Sequence, residues 1–283
     1  MKRLTVMVLV MAVLAGSGMA TPFLGRSSTV NKQYQFFGWT NFGYNQTAMN
    51  YNWISGKYAT PDGFVSTKTT SCDLTLAFGL SEKFDIDVVA PLAMKQKGDA
   101  KSTGLGDLMV YARYGILQSS EQPMKVALLL GANFPTADKK ASPALGDRTT
   151  DVAFGFSLNP KKAGKFLGHV RAAYWFNGYI PDAEGDTKVG DMFEYNLTLD
   201  YSVTKTLTPE LALTGYIRDN TVWGRTWVPK SEVSQHLVSA LLMWKPTPML
   251  TIRPKVSLPL TFISQGSSMA NWYGGLDIWV TLP

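Results

Sequence analysis

Leu74-Thr75-Leu76-Ala77-Phe78-Gly79-Leu80-Ser81-Glu82-Lys83-Phe84-Asp85-Ile86-Asp87-Val88-Val89-Ala90-Pro91-Leu92 decides the fold. In its second half Phe84, Ile86, Val88, Ala90 and Leu92 share one face, while Asp85 and Asp87 begin the other. A period of two marks a strand, because a helix would mix these residues around its circumference. The first half repeats the pattern, with Leu74, Leu76, Phe78 and Leu80 opposed by Ser71, Asp73, Thr75 and Ala77. Ser81-Glu82-Lys83 then reads as a short hairpin connection. Such runs reach the roughly 9 to 11 residues that a tilted strand uses to cross a bilayer, against five or six in most soluble sheets.

The alternation recurs along the chain. Leu108, Val110, Ala112, Tyr114 and Ile116 oppose Asp107, Met109, Tyr111 and Arg113, and Val126 to Phe134 follow in the same manner. Asp151, Ala153, Gly155 and Ser157 back Val152, Phe154 and Phe156; His169, Arg171, Ala173 and Trp175 back Val170, Ala172, Tyr174 and Phe176. The longest clean case sets Phe193, Tyr195, Leu197, Leu199 and Tyr201 against Glu194, Asn196, Thr198 and Asp200. With 211–218, 234–245, 250–260, 272–282 and a less regular aromatic stretch at 32–44, the sequence predicts about twelve strands. Their connections alternate between short (118–124, 159–165, 204–206, 246–249) and long and polar (45–62, 94–103, 136–148, 181–190, 219–230, 264–271). Short periplasmic turns and long outer loops are the habit of a membrane barrel, which places both mature ends in the periplasm.

Alternation by itself does not say which face meets water. A soluble periplasmic β-protein would turn its apolar face inward, and a membrane barrel turns it to lipid. Charged residues are only 17% of the chain and the face opposite the apolar one is rich in Gly, Ala, Ser, Thr and Asn. A water-facing surface would carry far more Lys and Glu. Aromatics near strand ends (Tyr114, Phe134, Phe176, Tyr201, Trp272) fit interfacial girdles. Lys2 and Arg3, the apolar stretch Leu4 to Leu14 and the small residues Gly18 and Ala20 read as a secretory signal peptide over 1–20, leaving 21–283 as one outer-membrane barrel. The net charge of +6 is a weak bias and no nucleic-acid signature, and the lone Cys72 excludes an internal disulfide.

Gly104-Leu105-Gly106-Asp107, Tyr111-Ala112-Arg113-Tyr114, Phe134-Pro135-Thr136 and Leu145-Gly146-Asp147 together resemble the outer-membrane transporter family of the phenol meta-cleavage pathway. The resemblance implies an outer-membrane barrel and a link to uptake of aromatic compounds. Two departures stand out: Ala137 replaces the glycine usual after Pro-Thr, and the chain ends in Pro283 rather than the aromatic residue that barrel-assembly machinery reads.

By parity, Asp73, Asp85, Asp87, Asp107, Asp151, Glu194 and Asp200, with Arg113, Arg171, Arg218, Arg253 and Lys255, are expected to line the lumen, as are Glu210 and Asp277. They would form either a mixed-charge constriction that selects solutes or a set of pairs bracing a narrow barrel. Asp107 reads as a strand-start residue, and Lys95, Lys97, Lys101, Lys139 and Lys140 as loop charges open to lipopolysaccharide or solvent. Only His169 and His236 could act as imidazole bases; Ser234 lies two residues from His236, yet both histidines read as polar lumen residues. There is no HExxH, GxSxG, phosphate loop or metal-ligand spacing, so no catalytic residue, metal or cofactor is expected. The function expected is passive or facilitated uptake of small solutes, aromatic or hydrophobic ones among them. The alternatives are a lipid-modifying barrel enzyme and a structural or loop-binding barrel. Outer-membrane lipid, lipopolysaccharide, the solute and the assembly machinery are the expected partners, with no nucleic acid.

Overall fold

The computed structural model describes residues 28–180, 187–224, 226–266 and 268–282; the expected signal peptide lies outside them. Twelve long antiparallel strands make one closed barrel. They are β1 (Phe36–Asn52), β2 (Thr67–Ser81), β3 (Phe84–Lys97), β4 (Leu108–Leu117), β5 (Met124–Phe134) and β6 (Asp151–Pro160). The second half comprises β7 (Phe166–Phe176), β8 (Met192–Tyr201), β9 (Leu207–Arg218), β10 (Val233–Thr247), β11 (Leu250–Pro259) and β12 (Ser268–Leu282). Each pairs with its sequence neighbours, and β1 pairs with β12 from Phe36 opposite Leu282 to Asn50 opposite Ser268. Closure satisfies every strand edge, without which unpaired N–H and C=O groups would face hydrocarbon at a cost of several kcal/mol each.

The apolar face points outward. Leu76, Phe78, Val88, Leu130, Phe154, Leu197 and Leu199 are all exposed, while Asp85, Asp87, Ala127, Ala153 and Ser157 are buried. Aromatic side chains gather at both ends of this outer surface: Tyr114, Phe166 and Tyr201 at the short-turn end, Phe134, Phe176 and Trp272 at the long-loop end. Phe166 and Tyr201 touch across strands at 4.9 Å between centroids. Leu197, midway along β8 and 41% exposed, gives a direct check. Leu197→Arg is expected to destabilise the barrel in lipid vesicles by about 2–4 kcal/mol in a urea titration, whereas a loss below about 1 kcal/mol would place the residue outside the hydrocarbon.

The strands differ from the alternation pattern at their ends. Residues 32–35 leave the expected first strand, because Tyr34 takes a left-handed φ of 62° and the chain turns there, with Gln35 N–H donating to the Lys32 carbonyl. Conversely, β1 runs on to Asn52, where 57–59 folds back on it, and 100–105 pairs back onto the end of β3. These extensions project into water and need no apolar outer face, so period-two hydrophobicity does not mark them. Short strands at 179–180, 187–188, 222–223 and 226–227 join two outer loops in a small second sheet. Among the described residues no helix is long and apolar enough to cross a membrane.

Candidate functional site: the lumen

At the short-turn end the chain before β1 lies inside the barrel. It enters over Gly79, whose backbone exchanges bonds with Tyr34 and Gln35. A Cβ on Gly79 would stand 1.9 Å from the Lys32 carbonyl oxygen, so only glycine admits this crossing. Inside, Ser28 and Val30 are buried. Ser28 N–H donates to Asn159 Oδ1 at 2.9 Å, Asn31 N–H to Asp85 Oδ2 at 2.8 Å, and Gln118 Nε2 to the Ser28 carbonyl at 2.8 Å. Arg113 binds Asp85 through Nε (2.9 Å) and Nη2, and its Nη1 donates to the Thr29 carbonyl at 3.2 Å. A bidentate Arg–carboxylate pair on one wall therefore pins the segment by its backbone.

The opposite side of this end is hollow among the described residues. A cavity of about 680 Å³ runs from Thr29–Asn31 to β7–β12 and β1. Trp39 and Trp279 meet edge to face at 6.0 Å in its wall, and the Arg253 guanidinium lies 4.5 Å from the Trp279 ring centroid. Arg253 also binds Asp277 (2.6 Å) and Glu210 (3.1 Å), and Lys255 reaches Asp277 at 3.3 Å and Asn41 at 3.4 Å. Nearby His169 holds Asp200 through Nε2 at 2.7 Å and meets Asn159 on Nδ1. Arg171 donates from Nη1 to Asn196 Oδ1 at 2.5 Å.

Above the cavity, toward the loops, the lumen is not uniformly polar. Val89, Tyr111, Leu129, Ala153, Ala173 and Trp175 form a buried cluster with Met109 and Met192 packed on it. The expectation of a hydrophilic interior is corrected here. Tyr111, Leu129 and Trp175 do sit on the inward parity, but they contact one another and exclude water. Trp175 Nε1–H donates to Glu194 Oε1 at 3.0 Å, so this acid serves the cluster.

At the loop end, Asp107 accepts from Ala137 N–H (3.0 Å) and Asp147 N–H (2.8 Å), tying the 136–148 loop over β4. A Cβ on Gly146 would meet the Asp107 carboxylate at 2.2 Å, which explains the glycine before Asp147. Asp151 accepts from Asn133 Nδ2 (3.0 Å) and Gly178 N–H (2.9 Å). Asp147 is exposed as a residue, yet its carboxyl turns inward to Thr149 N–H and Asn133 Nδ2. Desolvation there, then the neighbouring Asp151 and Asp107, push it from 3.8 up to about 7. A raised carboxylate favours the docked loop while protonated, so docking is strongest near pH 4 and is lost as pH rises to about 7. Hydrogen exchange in 136–148, corrected for its intrinsic pH dependence, is expected to quicken across that window, and Asp147→Asn to abolish the change.

The twelve residues expected in the lumen thus fall into separate groups rather than one ring. Asp73, Asp85, Asp87, Asp107, Arg113, Asp151, Arg171, Glu194 and Asp200 are buried; Arg253 and Lys255 are nearly so, and Arg218 is half-buried. His236 overturns its expected place. In β10, Leu241 and Ser239 lie opposite the inward Glu210 and Ala212, which turns Ser234 and His236 to the outer wall. There His236 meets Tyr195 OH at 2.6 Å on Nδ1 and Ser234 Oγ at 2.7 Å on Nε2. Residues 260–265 cover the pair, with Ser234 and Gln265 exchanging backbone bonds. A polar residue on the outer face breaks the sign rule because a loop, not lipid, covers it. Trp39 and Trp279 were missed as cavity residues; their signal was registration beside Thr75 and each other, two positions from Asp73 and Asp277.

The family model described as "Putative MetA-pathway of phenol degradation" matches residues 31–279. The chain belongs to this family. The match covers every barrel strand, including Trp39, Arg171, Arg253 and most of β12. Among solved structures, an outer membrane channel from Pseudomonas putida F1 aligns over 94% of this chain and 100% of its own, with a TM-score of 0.77 at 11% identity. The NanC porin aligns over 87% of this chain and 99% of its own (TM-score 0.51, 12% identity). The β domain of the Bordetella autotransporter BrkA aligns over 88% and 100% (TM-score 0.51, 10% identity). At these identities the likeness is one of fold, and it agrees with the family in an outer-membrane type of barrel. No curated protein sequence matches the chain.

Proposed function

We propose that this family member is an outer-membrane channel for passive or facilitated uptake of small solutes, aromatic and hydrophobic ones in particular. The cavity carries the reading: about 680 Å³ is the size of a small-molecule site, and Trp39, Trp279, Phe37 and Met243 give it aromatic and apolar wall beside a few convergent polar groups. A water-filled porin needs no such wall. The family's description, which names phenol degradation, supports the same solute class. Export by a signal peptide cleaved after Ala20 belongs to this reading, and the mass of the mature protein from outer membranes tests it. So do insertion by the assembly machinery and loop lysines meeting lipopolysaccharide.

The experiment is solute flux into proteoliposomes. Entry of phenol-sized aromatics faster than sugars of similar mass is expected, and no protein-dependent flux of any solute would end the channel reading. A lipid-hydrolysing barrel would rest on Ser234 and His236, which lie within 2.7 Å of each other on the outer wall. Both are less than a tenth exposed and the base is oriented by a tyrosine rather than a carboxylate. We assign the pair to bracing the 260–265 segment; phospholipid hydrolysis lost in His236→Ala would reverse that.

A further inference from the structure

We propose that the short-turn cavity is a binding site for a small organic carboxylate with an aromatic body, the anion pairing with the Arg171 guanidinium and the ring lying against Trp39 and Trp279. The proposal rests on the uptake reading for its biological setting and on the following geometry for its chemistry.

Arg171 lines the cavity and is 7% exposed. Its neighbours Asp200 and Glu210 share the wall; Asp200 meets His169 Nε2 and Glu210 pairs with Arg253, and one buried oxygen of each has no hydrogen-bond partner. Among the described residues Arg171 forms no ion pair. It donates only to the side-chain carbonyl of Asn196, a neutral acceptor, and its Nε has no partner. A buried guanidinium with five donors and one neutral acceptor is under-satisfied, in contrast to Arg113 and Arg253, each held by carboxylates. A carboxylate entering the cavity supplies acceptors for the unused donors in the planar, two-oxygen form that guanidinium binds best.

Charge around the cavity points the same way. Its wall carries four basic side chains (Lys162, Arg171, Lys245, Arg253) against two acidic ones (Asp200, Glu210), so it favours an anion over a cation. The aromatic requirement comes from the edge-to-face Trp39–Trp279 pair, whose rings are the large apolar surfaces beside those charges. Neither an inorganic anion nor a neutral hydrocarbon uses both halves.

Direct binding to the purified, folded barrel tests this separately from transport. Tryptophan fluorescence and calorimetry at pH 7 are expected to show benzoate binding at least about tenfold more tightly than benzyl alcohol, which keeps the ring and loses the charge. Benzylamine is expected to bind more weakly than either. Arg171→Gln is expected to bring benzoate down to the level of benzyl alcohol, and Arg171→Lys to restore part of the difference, with heat-shifted gel mobility confirming folded barrels. Equal affinity of the wild-type protein for benzoate and benzyl alcohol would overturn the proposal without any variant, as would a preference for benzylamine. A benzoate preference kept by Arg171→Gln would also overturn it. Should proteoliposomes pass no aromatic solute while benzoate binds selectively, the uptake reading fails and the site stands.

Discussion

Removal of residues 21–32 is expected to raise single-channel conductance in planar bilayers several-fold. Its described part, residues 28–31, occupies the lumen beside β3–β6 and is held there by Asp85, Arg113, Gln118 and Asn159 through backbone groups. Because these backbone bonds survive side-chain substitution, deletion is the informative change. Conductance through a short constriction follows its open cross-section, and vacating one side of the mouth joins that space to the existing cavity of about 680 Å³. Gly79→Val should give a smaller change in the same direction, since its side chain would collide with the Lys32 carbonyl and displace the crossing. Unchanged conductance in both would mean that the narrowest point lies higher, at the Tyr111–Trp175 cluster.

The second large effect is expected from Asp277→Ala. Asp277 is fully buried and is the shared partner of Arg253 and Lys255, which it binds at 2.6 and 3.3 Å. Its loss leaves Arg253 with Glu210 alone as an ion-pair partner and takes Lys255's ion-pair partner away, and breaking a buried pair in this way costs about 3–5 kcal/mol. A drop of that order is expected in the unfolding free energy from a urea titration of the barrel folded in vesicles, seen as a lower midpoint with little change in slope. Asp277→Asn should cost less, because its carbonyl still accepts from Arg253. A loss below about 1 kcal/mol in Asp277→Ala would show that water enters and solvates the cations, as it does for exposed pairs.

The barrel was legible because lipid imposes one rule on every strand. Leu74 to Leu92 shows it in a single hairpin, and the alternation of short and long links fixes the strand number independently. Inside, no such rule holds. Asp85 and Arg113 could be assigned to the lumen by parity, but their bidentate pairing follows from register across β3 and β4, which spacing along the chain does not reveal. Trp175 and Tyr111 could be placed on the inward face by parity, but not their packing into a core of their own. His236 misled because its polarity pointed to the lumen, whereas it shares the outer face with Val238, Leu242 and Trp244 and is covered there by the loop after β11. Residues 32–35 misled for the opposite reason, as aromatic content continued past the left-handed turn at Tyr34.

The seam between β1 and β12 is among the longest pairings in the wall, and it joins the two ends of the chain. The cylinder therefore cannot close until its final strand is present. The described leading residues enter by the open short-turn end over Gly79, so they can be seated without any gap in the wall. Sealing of the wall and filling of its mouth are thereby separable events.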